Sequence, residues 1–180
     1  AVYYQDGRLH EQRARLVIVA CNGVGTPRLL LNSRSNRFPD GLANRSGLVG
    51  KNLMYHPAAF VTGYFDDPLQ SNYGPVSNSV YSHHFYETDE SRGFVRGYQF
   101  QVTRDSGPLW AAHGGTSGGR IPWGADHHKV FQERFNHSLN IGVLTEDLPE
   151  EHNTITIDPV LTDSDGIPAP KATYRVGDNT

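Results

Sequence analysis

The longest unbroken apolar stretch is Leu16-Val17-Ile18-Val19-Ala20-Cys21. A short continuous run of this kind, rich in Val and Ile, predicts a strand covered on both faces, as in a parallel sheet. Gly23 and Gly25 follow and allow a tight turn with close backbone approach. Thr26 is placed to cap a helix, and Pro27 suits its first turn, where a missing N–H costs nothing. Leu29, Leu30 and Leu31 then give that helix an apolar surface. A strand end feeding a helix N-terminus is where α/β folds hold anionic ligands, because free N–H groups and the helix dipole favour negative charge. An ordinary βα unit without a ligand has the same pattern.

Elsewhere the patterning changes period. Residues 1–4 and 9–15 are β-prone and flank Asp6-Gly7, a strong hairpin signal. The second arm is expected to run directly into the strand at Leu16. Residues 34–44 lack periodicity and contain the turn signature Phe38-Pro39-Asp40-Gly41. Residues 58–64 are apolar and β-prone. Residues 80–86 read as a mixed strand with aromatic groups on both faces, and residues 94–103 alternate as a half-buried strand does. Together they predict an antiparallel sheet. Residues 108–124 read as loop, residues 125–135 as helix, and residues 139–144, 153–159 and 171–175 as strands. The last two flank a turn at Asp163-Ser164-Asp165-Gly166. No internal repeat or low-complexity segment is present.

Composition narrows the function classes. The 180 residues are 37% hydrophobic with a net charge of -3, acids and bases interspersed, and mean hydropathy is -0.53. Nothing favours nucleic acid or an anionic membrane as partner. The apolar runs fall far short of the ~20 residues that span a bilayer, so no transmembrane segment is expected, and no secretory leader is visible. One cysteine excludes an internal disulfide and a Cys-based zinc site. The chain opens at Ala1 inside a predicted strand and closes at Asp178-Asn179-Thr180 without completing an element, so a segment of a larger protein is expected.

The stretch from Val19 to Ser33, with Cys21-Asn22-Gly23-Val24-Gly25-Thr26-Pro27 and its Leu-rich continuation, resembles the second signature of the glucose–methanol–choline (GMC) flavin oxidoreductases. It departs from that signature at Cys21-Asn22 and at Ser33-Arg34-Ser35. A second block, Gly47-Leu48-Val49-Gly50-Lys51-Asn52-Leu53-Met54-Tyr55-His56-Pro57, is similar to the family segment along the junction of flavin and substrate domains. A third runs from Glu146-Asp147-Leu148-Pro149 through Asn153, Asp158-Pro159 and Gly166-Ile167-Pro168 to Tyr174, and resembles the start of the family's C-terminal region. The resemblance implies an α/β plus α+β chain: the end of an FAD-binding Rossmann-like domain, then an antiparallel substrate-domain sheet. It places the flavin-domain portion and junction in residues 1–57, the substrate sheet with one helix in 58–145, and the C-terminal start in 146–180.

The resemblance further implies FAD as cofactor and oxidation of CH–OH groups in an alcohol, sugar, sugar acid or polyol, by hydride transfer to the flavin. An electron-acceptor protein is one candidate partner, with oxygen and quinones as the other acceptors. Ala20, Cys21, Asn22, Gly23, Thr26 and Pro27 are expected to line the cofactor side of the turn. Asn52 and His56 are expected beside the active site, although His56 also suits a junction histidine bonded to backbone. The phosphate-cradling Gly-x-Gly-x-x-Gly is expected before Ala1 and the catalytic His region beyond Thr180. No catalytic residue is therefore assigned within the chain, which alone is expected to be inactive.

Other chemistries compete. Gly115-Thr116-Ser117-Gly118-Gly119 has the Gly-x-Ser-x-Gly spacing of a serine hydrolase, but Arg120-Ile121-Pro122 is a poor start for the helix that a nucleophile elbow needs. The histidine pairs His83-His84 and His127-His128 diverge as neighbours do, so no metal site is expected. Cys21 is expected to be a buried, inert thiol, and Glu146-Asp147 a solvated strand end rather than an acid pair. Asn44-Arg45-Ser46 and Asn136-His137-Ser138 are glycosylation sequons if the chain is secreted. A non-catalytic binding module, with a βα unit and a β-sheet, is the alternative class. A nicotinamide-binding Rossmann unit lacks its glycine fingerprint here.

Overall fold

The computed structural model describes residues 1–74, 78–103, 107–113 and 121–179. It is a mixed α/β chain in which every described sheet is antiparallel. The chain divides into two compact units. One comprises Ala1–Met54 with Leu148–Asp178, and the other Tyr55–Asp147 with Asn179.

The first unit begins with a hairpin, β1 (Val2–Gln5) and β2 (Arg8–Glu11), in register Tyr3↔His10. Asp6 and Gly7 have φ of 51° and 69°. Both are left-handed, as the two-residue turn that matches strand twist requires. The hairpin expected at Asp6-Gly7 is therefore present, but its second arm ends at Glu11. Residues 16–21, expected as a buried strand, form no strand: Leu16 is 77% and Ile18 81% exposed. The physical reason is pairing. An apolar run acquires strand structure only against hydrogen-bonded neighbours, and no described strand flanks this one.

Helix α1 (Asn22–Asn32) follows. It starts before Thr26, because Asn22 takes the left-handed conformation (φ 60°) and its Oδ1 accepts from the N–H groups of Val24 (2.9 Å) and Gly25 (3.0 Å). Thr26 therefore caps nothing ahead of it in the expected sense; its Oγ1 accepts from Cys21 N at 3.2 Å, and Pro27 lies inside the helix. Helix α1 packs on the antiparallel pair β7 (Thr154–Thr162) and β8 (Pro168–Thr173). Arg28 fixes this docking: its guanidinium donates to Pro168 O (2.8 Å), Ile167 O (3.0 Å) and Asp163 Oδ2 (2.7 Å). Asp163 also accepts from Asp165 N and Ile167 N, closing the β7–β8 turn.

The loop back from α1 turns at Phe38-Pro39-Asp40-Gly41 as expected, with Gly41 N donating to Phe38 O. Residues 50–53 then run against β7, with Ile155 N donating to Gly50 O (2.6 Å) and Leu53 N to Asn153 O (2.9 Å). Gly50 has φ 84°, and a Cβ there would lie 2.1 Å from Ile155 O, so no other residue fits. Ile155 and Asn153 are the most buried side chains, and the Asn153 carboxamide bonds both N and O of Arg175.

The second unit is a four-stranded sheet in the order β3-β6-β5-β4, from β3 (Ala58–Tyr64), β4 (Asn78–Ser82), β5 (Tyr98–Thr103) and β6 (Ser138–Thr145). The antiparallel sheet was legible from alternation. Two of its strands are shorter than the pattern predicts. Residues 83–86 leave β4 in a turn closed by Tyr86 N to His83 O, and Phe94 to Gly97 precede β5 rather than belonging to it. Part of the stretch expected as loop is helix α2 (Pro108–His113), bonded through Ala112 O to His127 of α3 (Ala125–Arg134). At the C-terminal end of α3 the Phe131 and Phe135 rings stack on each other, and the Arg134 guanidinium lies over the Tyr64 ring of β3.

Candidate functional site

Two places carry the expected site residues, one in each unit. In the first unit, Ala20, Cys21, Asn22, Gly23, Thr26 and Pro27 gather at the entry to α1. Ala20 to Gly23 are exposed, and Cys21, expected to be buried, is exposed as well. The exposure follows from the unpaired run before it. The first turn of α1 holds no acidic residue, so nothing on the helix offsets the positive end of its dipole. A Cβ added at Gly23 meets nothing within 4 Å, whereas one at Gly25 would lie 3.1 Å from the Cys21 Cβ. The N–H groups of Val24 and Gly25 already bond Asn22 Oδ1. A ligand here would therefore meet small side chains and the dipole rather than those two donors. Asn52 belongs to the same unit, in the stretch beside β7, with φ 59°.

In the second unit, His56 lines a pocket of about 580 Å³ together with His83, Tyr86, Glu87, Tyr98, Gln99 and Glu146. Antiparallel register assembles it. Ser82 of β4 opposes Phe100 of β5, and Tyr98 and Gln99 of β5 oppose Thr145 and Leu144 of β6. The turn after β4 can lie on the start of β5 because position 97 is glycine: a Cβ there would be 1.9 Å from Tyr86 O. Tyr98 N donates to Phe85 O and Glu146 N to Gly97 O, locking the wall. Phe85 stacks on Tyr98 at 5.2 Å and meets Phe100 edge-on. Arg92 backs the same wall, donating to Phe85 O and Glu87 O with its guanidinium 5.7 Å from the Tyr98 ring.

The polar groups of this pocket are only partly engaged. The His83 Nε2 and Gln99 Oε1 atoms are 2.8 Å apart. Glu146 approaches Arg96 at 3.8 Å. Among the described residues, the His56 ring and the Glu87 carboxylate make no hydrogen bond or ion pair. Asp147, expected with Glu146 as a solvated strand end, is buried, and its Oδ2 accepts from Tyr55 N at 3.2 Å. The shifted carboxyls lie elsewhere. Asp89, Asp158 and Asp163 are held below the ordinary range by hydrogen bonds to Ser91, to the Leu161 and Val160 N–H groups, and to Arg28, respectively.

Tyr86, Gly97 and Gln99 were not expected at a site, since they fall in stretches that read only as strand, and Glu87 lies just beyond one of them. Among the described residues, no group of three or more His, Cys, Asp or Glu is placed to hold a metal ion. No described helix is long and apolar enough to cross a membrane. The Gly-x-Ser-x-Gly stretch at 115–119 lies outside the described residues.

No protein-family model matches the chain. Over 176 residues, 97% of its length, the chain is 42% identical to the 2-methyl-1,2-propanediol dehydrogenase of Mycolicibacterium austroafricanum, of which it covers 32%. It is 29% identical to the fructose dehydrogenase large subunit of Gluconobacter japonicus, across 98% of the chain and 32% of that protein. It is 30% identical to the 6'''-hydroxyparomomycin C oxidase of Streptomyces lividus, across 92% of the chain and 27% of that protein. The chain thus spans about a third of the length of the curated relatives it matches. Those relatives are named as oxidoreductases, and the similarity runs through both units and both candidate places.

Proposed function

We propose that this chain is an internal portion of a GMC-type, FAD-dependent oxidoreductase that oxidises a CH–OH group of an alcohol, sugar, sugar acid or polyol. The observation that carries this reading is the 42% identity over 97% of the chain to a diol dehydrogenase, combined with the two blocks around Gly23 and His56. In this reading residues 16–21 are the last strand of a Rossmann-like FAD domain whose sheet partners lie elsewhere in the sequence of the complete protein. The exposure of Leu16 and Ile18 is what a parallel strand without its neighbours gives.

Three features of the entry to α1 suit a flavin dinucleotide. The entry is uncluttered at Gly23, free of acidic side chains and at the positive end of a helix dipole. Ala20, Cys21, Asn22, Gly23, Thr26 and Pro27 would hold the cofactor there, and Asn52 and His56 would stand near the reacting groups. Bound FAD would supply the hydride acceptor. The residues of the chain bind and orient; the pocket wall of Tyr98 and Gln99 would position substrate.

The test uses the complete protein. Purified wild type should carry FAD and reduce a dye acceptor with a diol or sugar as donor. Gly23→Val should lower FAD occupancy several-fold while far-UV circular dichroism stays unchanged. Unaltered occupancy would remove the α1 entry from the cofactor site, and a colourless wild type would remove the whole reading.

A further inference from the structure

We infer that the pocket of the second unit is a charge filter: it takes an uncharged polyhydroxy compound and rejects the corresponding acid, with Glu87 and Glu146 setting the discrimination. The inference rests on the oxidoreductase reading and narrows its substrate class, which included sugar acids.

Two carboxylates, Glu87 and Glu146, face one cavity of about 580 Å³, and among the described residues no Lys or Arg lines it. Two cations stand behind the lining: Arg96, whose Nη1 is 3.8 Å from Glu146 Oε1, and Arg92, whose guanidinium donates to Phe85 O and Glu87 O. Glu87 has no ion-pair partner among the described residues. An anionic ligand would thus meet the two carboxylates inside the cavity, while both cations lie outside its lining and are already engaged. A hydroxyl group, by contrast, donates well to a carboxylate, and such charge-assisted bonds are short and strong. The rest of the lining suits the same ligand. The ring of Tyr98 is fixed by Phe85 and Phe100, and the exposed ring of Tyr86 offers a flat apolar face to C–H groups. Gln99, its Oε1 engaged with His83, keeps its amide N–H donors for ligand oxygens, and His56 offers a ring nitrogen. The wall is preformed, because Gly97 pins the turn of residues 85–87 onto β5. A few polar groups converging in a mostly apolar cleft are the usual makings of a small-molecule site.

The test is calorimetric titration of the complete protein with xylitol and with xylonate at fixed pH and ionic strength. Wild type should bind xylitol at least tenfold more tightly than xylonate. The isosteric double variant Glu87→Gln/Glu146→Gln should bring the two within about threefold, and Tyr86→Ala should weaken xylitol at least fivefold. Equal or tighter binding of xylonate by wild type, no binding of either probe, or an unchanged ratio in the double variant overturns the filter. Flavin content and dye reduction measured on the same preparations report separately on the oxidoreductase reading, since the binding ratio is read without turnover.

Discussion

Asn22 shows how one residue decides where an element begins. Its left-handed φ of 60° is one that Asn tolerates better than most residues, and its carboxamide caps two N–H groups at once. Asn22→Ala should lower stability by about 1–2 kcal/mol, while Asn22→Gly, which keeps the backbone conformation, should cost a few tenths. Urea unfolding of the two variants checks the difference. The glycines divide in the same way. Gly50→Ala forces a Cβ to within 2.1 Å of the Ile155 carbonyl oxygen in a left-handed conformation, and should cost more than about 2 kcal/mol. Gly23→Ala meets open space in a helical position and should leave stability unchanged or raise it by up to about 1 kcal/mol. The sequence pointed to helix entry here, but placed it at Thr26. Ser/Thr followed by Pro is the commoner cap signature, and it outweighed an Asn whose role depends on its own φ.

At the scale of elements, α1 is tied to the β7–β8 turn through Arg28 and Asp163. The Arg28 guanidinium, with the Ile167 and Asp165 N–H groups, holds the Asp163 carboxyl below its ordinary 3.8. A carboxyl lowered in the folded state contributes stability above its unfolded value and loses it as pH falls through the folded one. The urea midpoint of wild type should therefore exceed that of Arg28→Met at about pH 6, and the gap should shrink below pH ~3.8 as Asp163 takes up its proton. A gap independent of pH would assign the docking to the carbonyl bonds of Arg28 alone.

Elements whose signal is local were legible: the Asp6-Gly7 hairpin, the strand at 58–64, and the helix from Ala125. Elements set by distant contacts were not. The turn at residues 83–86 exists because Gly97 admits it, and α2 hides in a stretch whose glycines and prolines read as loop. The pocket was least legible of all. Positions 56, 83–87, 97–99 and 144–146 meet only through the register of β4, β5 and β6, which no local pattern announces.

At the scale of the molecule, the chain spans about a third of its relatives' length and carries an apolar run that none of its described strands covers. If residues 16–21 are a parallel strand of a larger sheet, the amides of Val17 to Ala20 should resist hydrogen exchange in the complete protein. In the isolated 180-residue chain they should exchange as unpaired backbone. Equal protection in both would mean that the segment pairs within this chain instead.

The most direct test of the central claim is the visible absorption spectrum of the complete protein under anaerobic conditions, before and after addition of a diol. The account predicts a flavin band at near-unit occupancy that bleaches when the diol is added, and that is weakened in Gly23→Val. A protein without the band, or with a band that no alcohol, sugar, sugar acid or polyol bleaches, would contradict it.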